Sequence, residues 1–399
     1  MIVPDKKSFF KTNPLFKVLL REIERMSKSS VYLFTTLVGP LFAFVVLLAI
    51  FSDGIPSNLP IGIVDMDNTV LSRKMSQWVD ATSETEIVFR SPNLNEAQHE
   101  LMTGKIQGIV LIPEGTEKEI LKGSGQIVPV YINNTNILIG GYLQKGIYKA
   151  LATLSSGIKL QIEMKKGRSL EQAMANIYPI NTHQHVLFNP FGNYAYFLLS
   201  ALFPLLIVLF TMLSTIYATG IELREGTGPN WLDHADGSII VALVGKLIPY
   251  TLLLSINMIV MNMILFVQMG TPLHGNFFLI MFAEVVLILA YQMLGVFIVA
   301  ITANLRLSLS LATAYSMMAL TFAGLTFPRF SMPLLAKVFS LLFPFTYWVR
   351  IFISQAFRSE PILNGILPIG AMVLFILASV ASLPRLKRLL SNEKYWGKI

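Results

Sequence analysis

The sequence predicts a polytopic α-helical membrane protein, six transmembrane helices with an extracytoplasmic α/β domain inserted after the first, and three observations predict it. Of its 399 residues, 54% are hydrophobic and 14% charged, where an ordinary soluble chain carries about 25% charged. Six segments supply the roughly 20 mainly apolar residues that a spanning helix needs, namely residues 31–51, 194–219, 238–268, 277–302, 308–327 and 362–383. Residues 52–191 break that pattern with charges, turn residues and short alternating elements.

The first element is cytoplasmic, within residues 1–30. "NPLFKVLLREIERMSK" reads as an amphipathic helix with Asn13 as cap and Pro14 at the first helical position. Leu15, Leu19, Ile23 and Met26 share one face and Lys17, Arg21, Arg25 and Lys28 lie elsewhere, as suits the inner membrane surface. The apolar run at 31–51 reads as a span and not as a signal peptide, because its leader and core are too long and no A-x-A site follows.

Lysine and arginine set the sidedness. Lys6, Lys7, Lys11, Lys17, Arg21, Arg25 and Lys28 precede the first span, and Arg385, Lys387, Arg388, Lys394 and Lys398 fill the tail 384–399. Both ends are therefore expected in the cytoplasm, and the net charge of +8 reflects membrane topology, with membrane lipid and no nucleic acid as partner. The loop 269–276 lacks Lys and Arg and falls outside, while Arg306 falls inside. Residues 328–361 disobey, carrying Arg329, Lys337, Arg350 and Arg358 on the outer side. Making 331–353 a seventh span would bury Lys337 and Arg350 at roughly 2.5 to 3.5 kcal/mol each, so this stretch is expected to be a re-entrant or interfacial helical hairpin broken at Pro344.

Within 52–191, strands are expected at 60–65, "EIVFR", "QGIVLIP" and "QIVPVYI", with helices at 68–80 (capped by Asn68), at 93–103, briefly between the last two strands, and from Thr135 to Lys166. The first strand ends "IGIVDMDNTVLS", and Asp65-x-Asp67-x-Thr69 resembles the first motif of haloacid-dehalogenase-type phosphatases. The remaining motifs fail: the next strand ends "VLIPEG" with no hydroxyl residue, and the later acid pair, Asp233 and Asp236, lies across the membrane. Asp65, Asp67, Asn68 and Thr69 instead suit a turn that caps unpaired helix amides, so no catalytic residue is expected. Without cysteine, disulfides, thiolate catalysis and Cys-ligated zinc are excluded; His183 and His185 share a face but lack a third metal ligand.

The cytoplasmic loop 220–237, "GIELREGTGPNWLDHADG", breaks the second span at Gly226, Gly228 and Pro229 and then allows about two turns of helix. Taken alone it is either a solvated turn or an element that receives a push from another protein. Glu222-x-Arg224-Glu225-Gly226-Thr227 resembles the E-x-E-x-G-T loop of ABC-2 type transporter permeases, with Arg224 in place of the commoner acid. "LPIGIVDMDNTVLSRKM", "LMTGKIQGIVLIPEG" and "VPVYINNTN" look like the external domain of the drug-exporter branch, and "SMPLLAKVFSLLFPFTYWVRIF" resembles its re-entrant segment, here 328–358. Phe203-Pro204-Leu205 stands where many relatives have Pro-Gly in the second span.

The resemblance implies a bacterial inner-membrane permease exporting an amphipathic or hydrophobic compound, drug-like or lipid-like. It implies a coupling loop that holds Glu222, Arg224, Glu225, Gly226 and Thr227; Trp231, the large aromatic in that short charged loop and next to Leu232, is expected to anchor the ATPase. No G-x-x-x-x-G-K-[ST] occurs, so no cofactor is assigned to this chain, and ATP and Mg are expected on a separate ABC ATPase subunit. Six spans resemble half a pathway, implying a dimer with a second copy or paralogue; a periplasmic adaptor is a further implied partner. Glu284 and Pro204 are the candidate pathway residues, with Phe and Met of the second and fifth spans as greasy lining. Glu284 lies about two turns from the outer end of its span, and Lys246 is expected to snorkel to the inner surface. The alternatives are a polysaccharide or lipid exporter of the same superfamily and a membrane-anchored phosphatase or sensor.

Overall fold

The computed structural model describes residues 13–52, 54–180, 182, 184–189, 192–325 and 327–397. Lys6, Lys7, Lys11, His183 and Lys398 lie outside the described residues. The chain forms two compact units, Met1–Ser52 with Leu187–Ile399, and Asp53–Val186.

Helix α1, Pro14–Lys28, starts where Asn13 accepts the Leu15 amide and Pro14 fills the first position, which has no helical hydrogen bond to lose. Its buried line is Val18 and Glu22, whereas Ile23 of the expected apolar face is 47% exposed. The reason is a neighbour that the periodicity does not reveal: a carboxylate is drawn inward by a lysine on another helix. Helix α2, Ser30–Ile50, is long and apolar enough to cross a membrane.

The Asp53–Val186 unit carries a small mixed sheet. Its elements are β1 (Leu59–Asp65), α3 (Val70–Asp80), β2 (Thr85–Ser91), α4 (Leu94–Met102), β3 (Gly108–Ile112), α5 (Thr116–Leu121), β4 (Val130–Ile132), α6 (Ile137–Lys165) and α7 (Leu170–Ile177). The sheet order is β2-β1-β3-β4, with β1 parallel to β2 and β3 and with β4 antiparallel to β3. Side chains alternate across a strand, so Ile61 and Ile63 join Val110, Ile112, Met75, Leu143 and Ile147 on one face, while Val64, Ile109 and Leu111 join Ala97 on the other. With both faces covered, "GIVLI" of β3 is buried throughout. The α3 cap is Thr69 and not Asn68: Asn68 sits at φ +49°, and Thr69 and Ser72 form a reciprocal capping box. Strand β4 is shorter than expected and starts after Pro129, which has no amide to give a ladder. Helix α7 was absent from the expectation, although Ser169 and Gln172 form its capping box.

The remaining elements are α8 (Tyr194–Arg224), α9 (Gly228–His234), α10 (Ile239–Asn262), α11 (Phe277–Thr302), α12 (Leu305–Phe322), α13 (Leu334–Ser340), α14 (Pro344–Phe352), α15 (Ile366–Val380) and α16 (Leu383–Leu390). Five helical stretches among the described residues are long and apolar enough to cross a membrane: α2, α8, Ile239–Gln268, α11 and Ile362–Leu390. The pair Leu334–Ser340 and Pro344–Phe357 is bent by 89° and makes six if counted as one span. Pro344 opens the second helix of that pair, the place where its missing amide costs nothing. Helix α12 covers most of the expected 308–327 span, but its 18 residues include Arg306, Ser308, Ser310, Thr313 and Ser316, and it is not among the five. It packs on α8, the most enclosed of the apolar helices.

Candidate functional site

Helix α8 ends in acid. Glu222 lies in its last turns and Glu225 is its cap, and Gly226 at φ +69° turns the chain out of the helix. Carboxylates at a helix C-terminus face the negative end of its dipole, so they need cations from elsewhere. Two other helices provide them.

Arg21 of α1 grips Glu222 with both guanidinium nitrogens, at 2.7 and 3.0 Å. Arg25, one turn on, donates to Glu222 at 2.6 Å and also pairs with Glu225. Lys246 of α10 places its ammonium 2.8 Å from Glu222 and 2.5 Å from Glu22, and the Tyr250 hydroxyl donates to Glu22 at 2.6 Å. Thr227 closes the cluster, donating to Glu222 at 2.5 Å. Glu22, Glu222 and Glu225 thus balance Arg21, Arg25 and Lys246. Glu22, Glu222 and Lys246 are fully buried, where an unbalanced charge would be costly. At Arg25, burial opposes the charge, but the carboxylates of Glu222 and Glu225 outweigh it and raise the guanidinium above its ordinary value.

The close approach that permits this geometry is built into Gly245. A Cβ there would come within 2.8 Å of Val18 and 3.0 Å of the Leu15 carbonyl, so only glycine lets α1 lie against α10. On the other side the C-terminal segment holds the loop. Gly228 faces the Leu390 carbonyl, Trp396 packs over Gly226, and the Gly397 amide bonds to the Leu223 carbonyl at 3.2 Å.

Trp231 is the expected partner-facing anchor that the structure relocates. It is fully buried, donates to the Ala242 carbonyl at 3.2 Å, and its ring lies 4.6 Å from the Lys246 ammonium. An indole already enclosed by its own chain offers no surface to another protein. Leu232 is likewise buried, whereas Arg224, Glu225, Asp233 and Asp236 are exposed. Lys246 does not snorkel: it is enclosed, because two carboxylates lie closer than any water surface. Of the residues expected in the loop, Glu222, Glu225 and Thr227 meet in this cluster, with Gly226 at the turn beside it; the sequence reading did not place Glu22, Lys246 and Tyr250 there. Their signal is an acid inside an otherwise basic amphipathic helix, matched by Lys246 and Tyr250 one turn apart on an apolar one.

Elsewhere, Glu284 of α11 is buried and accepts from the Asn262 amide at 2.8 Å. Pro204 is enclosed within α8, next to the contact of Phe203 with Phe44 at 4.8 Å. Asp65 accepts from the amides of Asp67 and Asn68 and from the Ser72 hydroxyl. Asp67 accepts from the amides of Gly115 and Glu117 and from Thr69. Slight burial works against the Asp67 charge, and these bonds outweigh it, holding its carboxyl below the ordinary range. Both side chains are spent on local structure. Among the described residues no cluster of three His, Asp or Glu could hold a metal.

The Asp53–Val186 unit also holds a cleft of about 700 Å³, bounded by α6, β4 and the loop after α5. Ile147, Leu151, Leu154 and Ile158 line it, with Lys159 and Gln126 as polar groups. Its volume lies in the range of small-molecule sites.

Comparison with known proteins gives two findings. The family model described as ABC-2 family transporter protein matches residues 30–382. The chain is 22% identical over 312 residues to the probable multidrug ABC transporter permease YbhS of Escherichia coli K12, covering 75% of this chain and 77% of that protein. The O157:H7 protein of the same name matches with the same figures.

Proposed function

The chain belongs to the ABC-2 transporter family, and we propose that it is the permease subunit of an ATP-driven exporter that moves an amphipathic or hydrophobic compound, drug-like or lipid-like, out of the cell. The observation that carries this reading is the neutral ion cluster. It ties α1, the end of α8 and α10 into one charged joint beside a short helical loop. Force applied to α9 by an ATPase would pass to three helices at once, because separating the joint would leave buried charges unpaired.

In this proposal ATP and Mg belong to a separate ABC ATPase, which docks on the exposed residues Arg224, Glu225, Asp233 and Asp236. A second permease copy or paralogue completes the pathway, and a periplasmic adaptor is a further partner. The protein resides in a bacterial inner membrane with both ends in the cytoplasm, six spans and the Asp53–Val186 unit outside. Counting α12 as a span and the bent pair Leu334–Phe357 as re-entrant gives the even number that this requires. Glu284 and Pro204 remain the proposed pathway residues. The cleft lined by Ile147 and Leu154 supports an apolar cargo, and its Lys159 an amphipathic one.

The phosphatase reading is disfavoured by Asp65 and Asp67, whose oxygens already accept amide and hydroxyl protons. The test is to purify the permease with its ATPase and measure association and transport in Asp233→Lys/Asp236→Lys and in Glu225→Ala. Loss of association or transport with an intact, inserted permease is expected. Full transport in both would remove the loop from the coupling path.

A further inference from the structure

The arginines that break the charge-sidedness pattern are brought together by the fold. Arg329 follows α12, Arg350 lies on α14, and Arg358 ends the helical stretch after it, yet all three line one cavity of about 490 Å³. Their charge is scarcely met from within. Glu360, the acidic side chain of the lining, reaches Arg358 in a long 3.4 Å pair exposed to solvent. Arg350 lies 5.9 Å from the Tyr347 ring, and among the described residues no carboxylate pairs with Arg329 or Arg350. Asn364, which donates to Glu360, also lines the cavity. Beside these charges Phe330 and Leu367 line the same cavity at 83% and 80% exposure.

We propose that this cavity binds the phosphate headgroup of an acidic phospholipid. Three guanidiniums against one carboxylate leave an excess of positive charge, and guanidinium forks suit phosphate oxygens. The exposed apolar side chains beside them identify the occupant as amphipathic, with acyl chains lying on Phe330 and Leu367. A basic pocket among membrane helices is a known physical solution to anionic headgroup binding. The inference rests on membrane residence and not on the cargo, the ATPase or the sidedness proposed above.

The test uses the full-length protein in detergent, mixed with dioleoylphosphatidylglycerol or dioleoylphosphatidylcholine and weighed by native mass spectrometry. Wild type should retain the acidic lipid over the zwitterionic one, and raised salt should weaken that retention. Arg329→Gln/Arg350→Gln should lower its affinity by about fivefold per arginine, roughly 25-fold in all. Lys387→Gln/Arg388→Gln, an equal loss of charge on exposed residues of α16, should not. Arg329→Lys/Arg350→Lys should keep most of the binding, which guards against a folding defect in the glutamine variant. Equal binding of the two lipids, equal loss in the control pair, or unchanged binding in the glutamine variant would each overturn the site. So would occupancy by inorganic phosphate that phosphatidylglycerol does not displace.

Discussion

At Lys246, two carboxylates compete for one ammonium in a place that water does not reach. Removing one partner of a buried ion pair typically costs about 3 to 5 kcal/mol, most of it from the charges left behind. Lys246→Met should therefore destabilise the membrane unit by that order, read from denaturant unfolding in detergent. Adding Glu22→Gln should recover part of the loss, since the cluster is then neutral again. A single substitution without effect would mean that the joint opens to water. Asp67 shows a milder case. Its lowered pKa means that the stability it adds is present above the ordinary aspartate range and is lost as pH falls through the folded value. Asp67→Asn should cost about 0.5 to 2 kcal/mol, as a lost cap does, and should flatten the acid limb of an unfolding curve followed in the full chain. Neither Asp67→Asn nor Asp65→Asn should alter hydrolysis of a phosphate ester, measured against wild type with magnesium.

At the scale of elements, the loop after α8 is clamped by its own chain. Trp231 holds α9 to α10 from inside, so Trp231→Ala should act on folding, by about 3 to 5 kcal/mol, seen as lower thermal stability of the permease alone. Charge reversal at Asp233 and Asp236 should leave that stability nearly unchanged and affect the partner complex instead. Several element boundaries were readable from local signals, although the Ser169 capping box that opens α7 was passed over. Asn13-Pro14 opens α1, Asn93 opens α4 and Asn136 opens α6, each through a side chain that accepts an amide close by. Reading failed where a backbone angle decides: Asn68 takes a left-handed conformation and passes the cap to Thr69. It failed too where a helix neighbour reverses a preference, as when Lys246 draws Glu22 inward and turns Ile23 outward.

For the whole molecule, the proposed six spans with both ends inside would make a labelling pattern. A cysteine at Ser57 or Ser124 should react with an impermeant reagent from outside, and one at Ser391 should not. Reaction at Ser391 would mean that the bent pair Leu334–Phe357 crosses the membrane. The sequence by itself determined the membrane class, the apolar helices, the α/β character of the insertion and the family, because long apolar runs, strand periodicity and short motifs are written in consecutive residues. Tertiary structure alone decided which charges meet. Arg21 and Glu222 stand 201 positions apart and Lys246 and Glu22 stand 224 apart, and pairings at that distance depend on helix packing that Gly245 permits. The same holds for Trp231, whose size and polar edge suit an exposed anchor and a buried brace equally. Only the position of α10, with a carbonyl and an ammonium waiting for the indole, assigns it to the second.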